Sequence, residues 1–150
     1  MSDPTDDAAL VATLGEIRRT KDWAPFLEAV PYARFLGLSV DCSSGELVGR
    51  LRYDEMLVGN PALPALHGGT IGALLESTAI FELLWREDMH VLPKTINITV
   101  DYLRSAGPVD TFARGQVTRR GRRVANVRVE AWQEDPGKPV ALATCHFLVM

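Results

Sequence analysis

The segment GGTIGALLESTAIFELLWR, residues 68 to 86, limits what this chain can fold into more than any other. Ile71, Leu74, Leu75, Ile80 and Phe81 recur at helical spacing and leave little of the circumference polar, which predicts a helix from about Gly68 to Arg86. A helix apolar nearly all round is enclosed by other structure rather than laid on a surface. Beyond it the period changes from 3.6 to 2. KTINITVDYLR puts Ile96, Ile98, Val100 and Tyr102 on one face and Thr95, Asn97, Thr99 and Asp101 on the other. TFARGQVTRR and RVANVRVEAW read as two more strands joined by a turn at Gly121. KPVALATCHFLVM, apolar on both faces, reads as a strand well inside the sheet.

Upstream of the helix, residues 5 to 20 read as a helix (Leu10, Val11, Leu14, Ile17), with Asp6 and Asp7 favouring its N-terminus. A short helix over 22 to 30 follows, capped by Asp22 and ended by Pro31. YARFLGLSV leads through Gly37 into a strand. GELVGRLRYDE alternates Leu47, Gly49, Leu51 and Tyr53 against Val48, Arg50, Arg52 and Asp54, and LVGNPALPAL reads as a loop. The order is short helices, two strands, one enclosed helix, then about four strands in a meander. Strands joined by tight turns are antiparallel, so the expected class is α+β, an antiparallel sheet curled around a central helix. No repeat or linker divides the 150 residues, so one domain spans 1–150, with 1–30 as a helical N-terminal extension.

Composition removes several functions. A formal net charge of −3 offers no polyanion-binding surface, so no nucleic-acid partner is expected. The apolar run 70–85 is interrupted by Glu76, Ser77, Thr78 and Glu82 and falls short of the roughly 18 apolar residues of a membrane span. The acidic start MSDPTDDAAL has no secretory pattern. Cys42 and Cys145 form no CxxC, which fits buried reduced thiols and a cytoplasmic location. His67, His90 and His146 have no metal-ligand spacing, so no metal site is expected.

The chemistry lies in ALHGGTIGALLESTAI. Gly68 and Gly69 open the helix, where backbone N–H groups lack intrahelical partners and the helix dipole is positive. Without side chains they let a ligand approach, as an oxyanion site requires, or they meet a packing need at the helix start. Glu76 leans toward Gly72, four residues back, into a notch free of side chain. An acid in apolar surroundings is either a base or nucleophile, or a structural group bonded to Ser77, Thr78 or a neighbouring chain. His67 either joins this chemistry or bonds local backbone. Eight residues place Gly68 and Glu76 roughly 12 Å apart along one helix. If the two cooperate on one carbonyl, a second subunit supplies one of them.

NPALPALHGGTIGALLESTA resembles the signature of the hotdog-fold acyl-CoA thioesterases, of the PaaI-type and 4-hydroxybenzoyl-CoA branch: an Asn, a His-Gly-Gly triplet, and an acid nine positions after the His. ITVDYLRSAGPVDTFARGQVTRRGRRVANVRVEAW is similar to the family's downstream half. The resemblance implies a long helix wrapped by an antiparallel sheet, assembly as a homodimer or a dimer of dimers, and hydrolysis of an acyl-CoA (aryl or medium-chain) thioester without a cofactor. It implies that Gly69, assisted by Gly68, polarises the thioester carbonyl. Glu76 of the facing subunit then attacks it or activates water, while Asn60 and His67 position water, carbonyl or the neighbouring loop. Gly72, Ser77, Thr78 and Ile80 would touch substrate, with Leu74, Phe81 and Leu84 as further acyl-pocket candidates. Arg120, Arg122 and Arg123 would meet the CoA phosphates, which guanidinium groups suit. Ile80 stands four after the acid, where some relatives carry a hydroxyl, and the loop from Asn60 to His67 is one residue longer than usual. The alternatives are a non-catalytic acyl-CoA binding or regulatory protein and a 3-hydroxyacyl thioester dehydratase.

Overall fold

A computed structural model describes the backbone from residue 4 and side chains from residue 8 to residue 150. The Asp6 and Asp7 side chains, expected at the first helix start, lie outside the described residues. The enclosed helix spans Gly68–Arg86, and we number it α5 after four short helices: α1 Pro4–Ala12, α2 Leu14–Thr20, α3 Ala24–Ala29 and α4 Pro31–Leu36. The strands are β1 Leu38–Asp41, β2 Val48–Leu51, β3 Val58–Asn60, β4 Ala65–Leu66, β5 Lys94–Tyr102, β6 Thr111–Arg120, β7 Val124–Trp132 and β8 Ala141–Leu148.

The expected helix over 5–20 breaks at Thr13, whose hydroxyl donates to the Leu10 carbonyl at 2.6 Å and competes with the helical ladder. Asp22 behaves as expected, its carboxylate accepting from the Ala24 N–H at 2.9 Å. Pro31 ends α3 and also starts α4 at the position where a missing N–H costs nothing. Gly37, at φ 68°, closes α4 in the left-handed region and turns the chain into β1. Within the expected loop, β3 and β4 form a small antiparallel pair.

Six strands form one antiparallel sheet in the order β1-β2-β6-β7-β8-β5. Only β6, β7 and β8 make the expected meander. β5 does not pair with β6, because the connection 103–110 is too long for a tight turn and carries the chain back across the sheet. β8 therefore lies between β7 and β5, inside the sheet as its apolar sequence requires. β5 becomes an edge strand, with Ile96 54% and Tyr102 53% exposed.

The inward sheet face carries small residues (Ala113, Ala125, Ala131, Ala141, Ala143) opposite the large side chains of α5 (Leu74, Leu75, Leu83). Small against large lets helix and sheet approach without voids. α2 and α3 cover the C-terminal half of α5. Trp23 packs on Phe81 and Trp85 at ring-centroid distances of 5.3 and 6.4 Å, and Arg18 donates to the Leu84 carbonyl at 2.8 Å.

Two β-bulges alter which side chains face the helix. Thr95 pairs with Phe147, but the next register pair is Asn97 with His146. Ile96 is the extra residue, and Thr95 joins Ile98, Val100 and Tyr102 on the helix side instead of the expected outer face. Between Val117 and Arg119 a second bulge turns Arg120, the partner of buried Ala125, toward the end of α5.

Candidate active site

The start of α5 is held by its own N-cap. His67 Nδ1 accepts the Gly69 N–H at 2.9 Å, so this histidine bonds local backbone. Its N–H donates to the Leu57 carbonyl at 2.8 Å, and its carbonyl accepts the Thr70 N–H at 3.0 Å. Gly59 of β3 lies against it so closely that a Cβ there would sit 2.8 Å from His67 Cα. The Gly69 donor expected to face substrate is therefore occupied. Among the described residues no partner takes the Gly68 N–H.

The notch over Gly72 is not empty. Tyr102 reaches from β5 and donates its hydroxyl to the Gly68 carbonyl at 2.6 Å. A Cβ on Gly68 would lie 3.2 Å from Cε1 and Cζ of that ring, and one on Gly72 would lie 3.5 Å from its hydroxyl. Lack of a side chain at both positions is what seats the tyrosine. No sequence signal tied Tyr102 to the two glycines, since it lies 34 residues after Gly68 and 30 after Gly72.

Glu76 is half-buried, not buried, and its Oε1 accepts from Thr95 Oγ1 at 2.5 Å. The buried acid of α5 is Glu82, 5% exposed. It faces the sheet where Gly115 leaves room, since a Cβ on that glycine would lie 3.3 Å from Glu82 Cβ. Arg86 donates to it at 2.9 Å. Burial pushes the Glu82 carboxyl above the usual glutamate range, with the Arg86 bond acting against that shift. Beside Glu76, burial raises the Cys145 thiol to about 12, with the Glu76 charge adding to the effect.

With Gly69, Ala73, Ser77 and Ile80, Glu76 forms a stripe down α5 that the chain leaves partly open. Thr78, expected at the substrate, is fully buried against Gly49 on the opposite side of the helix and cannot be reached from that stripe. The acyl-pocket candidates Leu74, Phe81 and Leu84 are core residues for the same reason, whereas Ile80 is accessible.

Asn60 lies apart from this arrangement. Its side chain accepts from the Ala62 N–H at 3.1 Å, closing a turn in its own loop. The arginines stand at the other end of α5, where Arg120 Nε is 3.9 Å from Glu87 Oε2 and Arg123 Nε is 3.2 Å from Met150 Sδ; Arg122 is exposed. At 1.5 Å per residue, the end of the helix is roughly 15 Å from Glu76 and roughly 27 Å from Gly68. The structure thus gathers His67, Gly68, Gly69 and Tyr102 at one end of α5, Glu76 and Thr95 in the middle, and the arginines at the far end.

A concavity of about 840 Å³ is lined by Glu46, Glu82, Arg86, Arg114, Arg128 and Glu130, and none of the candidate site residues borders it. Among the described residues no group of His, Cys, Asp and Glu is placed to hold a metal, and no helix is long and apolar enough to cross a membrane.

Comparison with known proteins bears on this geometry. The family model of the thioesterase superfamily matches residues 63–140. The medium/long-chain acyl-CoA thioesterase YigI of Salmonella typhimurium is 31% identical over 140 residues, 83% of this chain and 88% of that protein. A crystal structure of a Chromobacterium violaceum protein superposes with a TM-score of 0.75 at 38% identity, covering 93% of this chain and 97% of that one. A putative thioesterase from Ralstonia eutropha, described as phenylacetic acid degradation-related, superposes at 0.71 with 27% identity over 91% of this chain and 98% of its own.

Proposed function

The chain belongs to the thioesterase superfamily, as a PaaI-like hotdog acyl-CoA thioesterase, and from that premise we propose that two copies build each active site around Glu76. One observation carries the proposal: Glu76 sits on a stripe of α5 that its own chain leaves partly open. The unpaired edge of β5, with Ile96, Tyr102 and Leu103 exposed, adds a surface suited to a second copy, since a long open edge strand invites pairing. The assembly is then a homodimer, or a dimer of dimers.

In this reading the thioester carbonyl oxygen lies at the α5 N-terminus of one subunit, against the N–H groups of Gly68 and Gly69. The Gly69 donor is shared with, or released by, His67 Nδ1. Glu76 of the facing subunit takes a proton from the attacking water, or attacks the carbonyl carbon to form a mixed anhydride that water then cleaves to release the acid and restore Glu76. The C–S bond breaks, and the sulfur leaves as CoA thiol once it gains a proton. Water's oxygen ends in the carboxylic acid. Developing negative charge on the carbonyl oxygen is where fixed backbone donors act most strongly.

Ser77 and Ile80 line the approach along the open stripe, and the acyl group is of the medium or long chain class named for YigI. Arg120, Arg122 and Arg123 meet the CoA phosphates, and Asn60 acts from its loop at the rim. The chain works as one domain over 1–150, with 1–30 as a helical extension. It is cytoplasmic and uses no cofactor, CoA being part of the substrate.

Thiol release from a panel of acyl-CoAs tests the proposal. The parent protein is expected to turn over, and Glu76→Gln to lose on the order of 100-fold or more in kcat while the oligomer persists. Full activity in Glu76→Gln and Glu76→Ala, or a monomeric active protein, would refute the two-subunit site. Binding of the whole panel without turnover would instead favour a sensor.

A further inference from the structure

The carboxylate of Glu76 has one hydrogen-bond partner among the described residues, Thr95 Oγ1 at 2.5 Å. That length matches a charge-assisted O–H···O⁻ bond, about 2.5–2.7 Å. The bond exists because of the bulge at Ile96. Strict alternation would turn Thr95 outward with Asn97 and Thr99, but the extra residue puts it opposite buried Phe147, on the helix face. The displaced Ile96 is left 54% exposed. Bulges re-aim side chains in this way beside functional sites. The neighbours of Glu76 on α5 do not serve instead: Thr78 is fully buried on the other side of the helix, and Ser77 makes no bond to the acid.

We propose that Thr95 is a positioning residue, whose hydroxyl holds Glu76 Oε1 and leaves Oε2 directed at the open stripe where the thioester or water arrives. The inference rests on the reading of Glu76 as the catalytic carboxylate. A half-exposed glutamate has three rotatable bonds and samples many rotamers. A single short bond from a β-branched side chain, itself stiff at χ1, removes most of that freedom before substrate binds. One oxygen serves as the fixed point and the other as the reacting atom.

The test uses two substitutions that divide shape from hydroxyl. Thr95→Val keeps the branched shape and removes the donor, whereas Thr95→Ser keeps the donor and removes the methyl. With melting temperature and oligomer compared alongside, Thr95→Val is expected to lower kcat about 10- to 100-fold at little change in KM. Thr95→Ser is expected to stay within a few-fold of the parent. A purely structural Thr95 would give the reverse order, Val tolerated and Ser destabilised, and that result overturns the inference. So does undiminished kcat in Thr95→Val. Glu76→Gln measured in the same assay separates the two readings. If it retains full activity, the role of Glu76 itself fails. If it falls while Thr95→Val does not, only the positioning role fails. Should Thr95→Val lose the oligomer, Thr95→Ala is read in its place under the same criteria.

Discussion

Thr78→Val should make the protein more stable and leave its catalysis unchanged. Thr78 is 0% exposed, and its Oγ1 has no hydrogen-bond partner among the described residues. It faces Gly49 of β2, with Leu74 beside it. A buried hydroxyl without a partner costs about 1–3 kcal/mol relative to its hydrated state in the unfolded chain. Valine has nearly the same shape and a similar helix propensity, and it replaces the hydroxyl by a methyl that gains from burial. The expected change is about 1–2 kcal/mol of added stability, which for a chain of this length raises Tm by roughly 2–8 °C. Urea unfolding at fixed protein concentration is the appropriate assay, because assembly makes apparent stability depend on concentration. The midpoint should rise with the slope unchanged. A loss of about 1 kcal/mol would mean that the hydroxyl is satisfied in solution, as when a helical threonine bonds the carbonyl four residues back, and would refute the reasoning. A fall in kcat with stability unaltered would refute it differently, by placing Thr78 at the substrate.

Two further outcomes follow from titrating groups. Burial raises the Glu82 carboxyl above its unfolded value, so the folded state binds that proton more tightly; stability is favoured below about pH 4.3 and lost as pH rises through the raised pKa. Glu82→Gln should therefore match the parent in acid and become relatively more stable as pH rises above that point, as read by denaturant unfolding across pH; a gap that narrows with rising pH would contradict the assignment. Cys42 and Cys145 are buried, and the Cys145 thiol is pushed up to about 12. Neither should react with a thiol reagent in the native protein at pH 8, and both should react once urea unfolds it, so rapid native labelling would contradict the burial of both residues.

The central helix was legible to its ends. Its apolar circumference and the glycines that open it predicted 68–86, and the structure has Gly68–Arg86. The inward face of β2 was equally legible, because Leu47, Gly49 and Leu51 follow the period of two and are buried. The residues of the candidate site were legible in kind, as glycines at a helix start and an acid eight residues on. Its geometry was only partly so. Reading Glu76 as the buried acid failed because Glu82 has the glycine opposite it, and that glycine is in β6, 33 residues away. The occupant of the Gly68–Gly72 notch was missed for the same reason, since Tyr102 arrives from β5.

What sequence alone determined here is what short-range physics controls: which segments are helix or strand, which residues lie on an apolar face, and where glycine and proline punctuate the chain. Periodicity repeats every two or four residues, and neighbours along the chain report it. Tertiary structure decided the rest, the return of β5 to the far edge beside β8 and the two bulges that turn Thr95 toward Glu76 and Arg120 toward the end of α5. A bulge is a property of two strands together. One extra residue reverses the alternation only relative to a partner that lacks it, and that partner is named by long-range pairing rather than by the strand's own pattern.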